Sequence, residues 1–200
     1  KDLGLKFTFP RPFDSSKKVT LRDVIDDLKD NVLPAKEGNI TNGEKCFFPN
    51  HEYMIGGFSS IFMSRNRVRS WDECSFTIQA GGRHAPLHPQ APKMEFVEQN
   101  VRRFALGQEH LYRRLSVREC ARIQTFPDEF FFEYNNVTAG YKMIGNAVPV
   151  DMAKILAKRI YFDLTNIKVT RKVISKRPAK IINGNNVIEK MIEIVNKASV

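Results

Sequence analysis

Apolar residues recur with helical spacing at Leu21, Val24, Ile25 and Leu28, and Thr20 stands before them as an N-cap. A short helix is therefore expected there, after an irregular, proline-marked lead-in over residues 1–19. Residues 31–57 are rich in Pro, Gly and Asn and read as loop. Over residues 58–80 β-branched and aromatic residues are mixed with arginines, a pattern expected to be extended, with a turn at Gly81-Gly82. The three prolines of residues 84–92 predict coil. Helical order returns where Ser116 and Glu119 form a capping box; that helix runs to about Gln124, and Pro127 marks its exit. Gly145-Asn146 reads as a tight turn. A helix over 149–163 follows, with Pro149 in its first turn and Met152, Ile155, Leu156 and Ile160 as a buried stripe. Residues 165–182 are basic, and Asn186 and Glu189 cap a last helix carrying Ile188, Met191, Ile192 and Val195.

Charge narrows the choice of partner. The 200 residues carry 32 Lys and Arg against 22 Asp and Glu, a net charge of +10. A polyanion is the expected partner, with nucleic acid ahead of a membrane surface. No apolar run approaches the ~18 residues that a spanning helix needs. Cys46, Cys74 and Cys120 are an odd number at unrelated spacings, which argues against a disulfide framework and suits a reducing compartment. No metal site is expected: His84 and His88 are four apart, but Pro86 and Pro89 deny them a common helix face, leaving loop or surface histidines. The chain opens at Lys1 without an initiator Met, as a fragment would.

The basic residues are also patterned. Arg65, Arg67 and Arg69 occupy alternate positions, and an extended strand would point all three the same way, with Arg83 after the glycine pair. Like charges on one face repel by a few tenths of a kcal/mol per pair, so an anion is expected to compensate. The bland alternative is a solvated edge that discourages strand aggregation.

Two stretches carry a family resemblance. "RRLSVRECARIQTFPDEF" resembles the ninth sequence motif of bacterial cytosine-5 DNA methyltransferases, and "YKMIGNAVPVDMAKILAKRI" resembles the tenth. Upstream, "TNGEKCFFPNHEY", "IFMSRNRVRSW" and "LHPQAP" are similar to the target-recognition region of the members that modify GGCC. The resemblance covers roughly residues 20–162. Thr125 departs from the Gly that many members place before Phe-Pro, and a local turn difference is expected. The family's Gly-rich cofactor turn, its Pro-Cys nucleophile and its Glu-Asn pair have no counterpart here.

The resemblance implies an α+β chain. Residues 1–112 would form an irregular, β-rich target-recognition domain that binds DNA, and 113–164 the closing segment of motifs nine and ten. Residues 165–200 would be an accessory basic tail. The helices would pack on an absent α/β, Rossmann-like domain that binds S-adenosyl-L-methionine. The implied partners are double-stranded DNA and that N-terminal catalytic half, with no membrane, in a bacterial cytoplasm. By resemblance Arg67 and Arg83 read guanines, Arg65 contacts phosphate, and Arg69 joins them. Ile61 is a wedge beside a flipped base or a core isoleucine; Thr77 touches the target nucleotide's backbone or is a plain strand threonine. Arg114 and Arg118 contact phosphate or pin the segment structurally. Asn146 and Ala147 lie beside the cofactor, or Asn146 merely enters a helix. No catalytic residue is expected in the chain. A free-standing DNA-binding module and a basic protein binding through charge alone remain as alternatives.

Overall fold

The structure, a computed structural model, describes residues 7–12 and 18–165. The terminal helix and basic stretch expected after Thr165 lie outside the described residues. Helix α1, Leu21–Ile25, begins as its sequence predicts: the Thr20 hydroxyl accepts from Asp23 N, and the Asp23 carboxylate accepts from Thr20 N at 2.8 Å. Its next two amides donate to Glu73 and Trp71 carbonyls, so α1 is tied to a segment fifty residues away. A 3-10 turn, Asp26–Leu28, continues it.

Strand pairing is sparse. β1, Leu33–Pro34, lies parallel to β2, Glu52–Tyr53. β3, Glu95–Glu98, and β4, Val101–Arg103, form an antiparallel hairpin with a register shift between Phe96 and Glu98. The chain is thus mixed α and β, but the β-rich recognition region expected from the sequence is mostly turns and 3-10 segments. Residues 58–80 are not a strand. They open with a 3-10 turn, Phe62–Ser64, and pair only through the isolated bridge Val68–Leu87 among the described residues.

Three helices follow: α2, Val117–Ile123, α3, Val137–Asn146, and α4, Val150–Thr165. The capping box of α2 forms, with Glu119 N donating to Ser116 Oγ at 3.0 Å and Ser116 N to Glu119 Oε2 at 2.7 Å. One core cluster joins Leu21, Ile25 and Ile78 to Leu115, Val117, Cys120, Val137, Tyr141 and Ile144. A second gathers Phe62, Val68, Leu87, Met94 and Tyr112. Each large aliphatic side chain so buried contributes roughly 1.5–3 kcal/mol of transfer free energy. The coil of 84–92 belongs to this interior, because Ala85, Leu87, His88 and Ala91 are buried.

Helix α3 replaces the expected turn at Gly145-Asn146. Its glycines are there for contact: a Cβ on Gly140 would come within 2.7 Å of the Tyr134 ring, and one on Gly145 would overlap the Gln79–Ala80 backbone. Helix α4 departs in the other direction. Its predicted stripe is not buried among the described residues; Met152 stays 53% and Ile160 42% exposed. Its first turn is held by the segment that follows α2, as Val150 N donates to Gln124 O (3.1 Å) and Asp151 N to Thr125 Oγ1 (2.9 Å). Thr125 does this at φ +58°, a left-handed conformation that costs a non-glycine residue roughly 1–2 kcal/mol. The departure from Gly is therefore more than a local turn difference: the side chain caps α4.

Candidate nucleic-acid interface

The arginine-rich segment folds back on itself. Arg67 Nε donates to the Phe62 carbonyl at 2.8 Å and Nη2 to the Ile61 carbonyl at 3.0 Å. Its guanidinium also lies 4.9 Å over the Phe62 ring, which is fully buried. Partial burial, and then the Arg65 charge, lower the Arg67 pKa. Arg65 is exposed, and among the described residues neither Arg65 nor Arg67 has a carboxylate within ion-pair distance. Arg69 differs. It donates to Glu73 at 3.1 Å and stacks on Phe76 at 4.2 Å, so its charge is compensated internally. The alternation of arginines does not place three equivalent cations on one strand face.

Ile61 settles as a surface residue. It is 71% exposed, immediately beside the buried Phe62, which removes the core-isoleucine alternative. Arg83 is also exposed, on the 3-10 turn Gly82–His84, and lines a cavity of about 390 Å³ with Asn39, Met54, Ile55, Gly56, Gly57, Phe58 and Ser59. Behind it lies the buried Arg114, donating to the Gly56 (3.1 Å) and Gly57 (2.9 Å) carbonyls and stacked 4.1 Å from Phe58. Burial, with the Arg83 charge adding to it, lowers the Arg114 pKa. Residues 58–62 thus border both arginine sites. The glycine pair serves packing, since a Cβ on Gly82 would come within 2.7 Å of Tyr141 and Met54. Tyr141 fixes the junction from the other side, its hydroxyl donating to Leu115 O at 2.6 Å and accepting from Met54 N at 3.2 Å.

Thr77 is exposed in a second cavity, of about 360 Å³, that Leu21, Val24, Phe76, Ile123 and Thr125 also line. It lies outside any strand. Asn146 is exposed as the last residue of α3, and Ala147 N closes the helix by donating to Ile144 O at 3.1 Å. Arg118 takes the structural option: buried, it donates to the carbonyls of Pro49 (2.8 Å), Pro127 (3.2 Å) and Phe130 (2.9 Å).

Sequence reasoning missed a buried polar cluster. Arg113 holds Glu119 with two bonds of 2.8 Å, and His88, expected at the surface, is buried 3.4 Å from the same carboxylate and edge-on to Trp71. Burial alone would raise the Glu119 pKa, but Arg113 outweighs it and holds it below the usual range. Burial drives His88 down to about 4 and lowers His51 as well. His51 Nε2 faces the Leu28 carbonyl at 2.8 Å and so carries the proton; Nδ1 then accepts from the Ser116 hydroxyl at 2.9 Å. No local pattern signals these partners, which lie up to 65 positions apart. Among the described residues no cluster fit to hold a metal ion occurs, and no helix is long and apolar enough to cross a membrane.

The sequence profile of the C-5 cytosine-specific DNA methylases matches residues 4–161. The chain belongs to that family. Similar proteins include the type II methyltransferases M.FnuDI of Fusobacterium nucleatum, 53% identical over 88% of this chain, and M.MthTI of Methanothermobacter thermautotrophicus, 62% identical over 84%. M.NgoPII of Neisseria gonorrhoeae is 56% identical over 80%. The matches cover 52%, 50% and 47% of those proteins, so the chain spans about half the length of these relatives. In this methylase family member the cysteines divide by environment. Cys120 is fully buried and its thiol is pushed well above its usual range, burial raises Cys46 to about 11, and Cys74 is exposed.

Proposed function

We propose that this chain is the DNA-reading and closing part of a type II DNA (cytosine-5-)-methyltransferase that recognises a GGCC-like site. Residues 1–112 would read the duplex and 113–164 would close against an N-terminal catalytic half. The observation that carries the reading is the set Arg65, Arg67 and Arg83: cations without a carboxylate partner among the described residues, grouped around a segment that exposes Ile61. Guanine offers O6 and N7 as a matched acceptor pair for a guanidinium, and each good pair discriminates by roughly 1–3 kcal/mol. Arg67 and Arg83 are the base readers in this reading, and Arg65, exposed and without an ion-pair partner among the described residues, the phosphate contact. Ile61 is suited to fill the gap beside a cytosine taken out of the stack, a step that costs a few kcal/mol.

S-adenosylmethionine supplies the methyl group when bound, mainly by the N-terminal half. Asn146 fits one edge of such a site, because its carboxamide is exposed and makes no hydrogen bond within the described chain; Ala147 beside it leaves room. The reaction needs a thiolate aimed at cytosine C6. Neither buried Cys120 nor half-buried Cys46 suits that role, and Cys74 lacks the Pro-Cys setting. The half-exposed stripe of α4 favours docking of a catalytic half over a free-standing binding module.

The test mixes residues 1–200 with tritiated S-adenosylmethionine and a GGCC duplex, with and without an N-terminal polypeptide carrying the cofactor turn and the Pro-Cys loop. Methyl transfer is expected only in the mixture. Incorporation by residues 1–200 alone that disappears with one Cys→Ser change would overturn the assignment.

A further inference from the structure

Arg67 uses only one edge of its guanidinium inside the protein. The group has five N–H donors in a fixed plane. The Nε and Nη2 edge is spent on the carbonyls of Phe62 and Ile61, at 2.8 and 3.0 Å. The terminal fork, one N–H from each Nη, is unspent: no side-chain acceptor or ion-pair partner meets it among the described residues. Like-charged Arg65 stands close enough to disfavour the Arg67 cation, so an acceptor pair at that fork would relieve both.

The two carbonyls held by Arg67 belong to the turn that presents Ile61. That turn is otherwise fixed from below. Phe62 N donates to Ser59 Oγ (3.2 Å), Met63 N to Ser59 O (3.0 Å), and the Phe62 ring is buried against Phe58 with centroids 5.0 Å apart. The Ile61 carbonyl also accepts from Ser64 Oγ at 2.8 Å. The plane of one guanidinium therefore sets the peptide that carries the exposed aliphatic side chain, while its free fork faces outward.

We infer that Arg67 is a positioning residue as well as a reader: engagement of its terminal fork by guanine O6 and N7 fixes the guanidinium plane and thereby seats Ile61 in the base stack. A wrong base leaves the fork unengaged, and the guanidinium plane is then set only by the two carbonyls and the Phe62 ring. Sequence reading and insertion are then one event. This rests on the proposed reading of the surface as a DNA interface.

The test uses the complete enzyme on duplexes carrying 2-aminopurine at the target position, whose fluorescence rises when the base leaves the stack. Wild type, Ile61→Ala, Arg67→Ala, the double variant and Arg83→Ala are compared at saturating protein. Arg67→Ala should lower the flipped fraction about fivefold, the scale of one net hydrogen bond. The double variant should fall no further than Ile61→Ala, and Arg83→Ala should lose affinity for the cognate duplex. Replacing each guanine in turn by 7-deazaguanine, which lacks the N7 acceptor, repeats the test with unmodified protein; one replacement should lower flipping at saturation. Effects of Arg67→Ala and Ile61→Ala that simply multiply, or an unchanged flipped fraction with every 7-deazaguanine duplex, would overturn the coupling while leaving the DNA interface intact. Unchanged binding in both Arg67→Ala and Arg83→Ala would sink the interface reading and the coupling with it.

Discussion

Acidification from pH 7 to pH 5 should cost the folded chain about 2 kcal/mol through His88 alone. His88 is buried among Glu119, Arg113, His51 and Trp71, and its Nδ1 accepts from Gln90 N at 3.2 Å. Burial depresses its pKa from 6.5 to about 4, against the pull of Glu119. Below 6.5 the unfolded chain takes up a proton that the folded chain refuses until about pH 4. The unfolded state binds more protons in that window, so stability is lost as pH falls through it. With those two values, the linkage integral grows by about 2 kcal/mol between pH 7 and pH 5 and approaches about 3 kcal/mol near pH 4. Urea denaturation of wild type and His88→Phe at both pH values isolates the residue together with its coupling to Glu119 and His51, since groups that do not face it cancel in the difference. The variant should lose about 2 kcal/mol less than wild type on acidification. Parallel losses in the two proteins would show that His88 carries its proton in the fold and that its burial has been misjudged.

Gly145→Ala should destabilise the chain by roughly 1–3 kcal/mol in urea melts, although alanine is the better helix former by about 1 kcal/mol, because the added methyl meets the Gln79–Ala80 backbone. At the left-handed Thr125, both Gly and Ala lose the α4 cap, but Gly also sheds the backbone strain. Thr125→Gly should therefore be about 1 kcal/mol more stable than Thr125→Ala by thermal or chemical denaturation.

The Ser116–Glu119 capping box and the N-cap at Thr20 were legible because their chemistry is local, closing over three residues; the answering bond from Thr20 N to Asp23, which makes the first cap a box as well, came only with the structure. The period of α4 was legible too, though periodicity names a face without naming what covers it. Helix α3 was not. Gly140 and Gly145 look like breakers in a linear reading, and only packing against Tyr134 and Ala80 explains them. The extended reading of 58–80 rested on β-branched and aromatic residues mixed with arginines, and it failed because the segment folds back on itself: Arg67 turns to two carbonyls and Arg69 to Glu73. Of the candidate site, Arg65 and Arg83 were named from the sequence and Ile61 was left open between wedge and core, whereas the support beneath them, Arg114 on Gly56 and Gly57 and Tyr141 between Leu115 and Met54, depends on contacts 26 to 87 positions apart.

Competition binding of the complete enzyme to GGCC duplexes and to their single-base substitutions, at fixed salt, tests the interface most directly. Arg67→Ala and Arg83→Ala should each lose ~1–3 kcal/mol on the cognate site and stop discriminating at one guanine, a different one for each. Arg65→Ala should weaken every duplex alike and reduce the log–log salt slope by about one. A parent protein that binds all duplexes equally, or an order of preference unchanged in both Arg67→Ala and Arg83→Ala, would contradict the account.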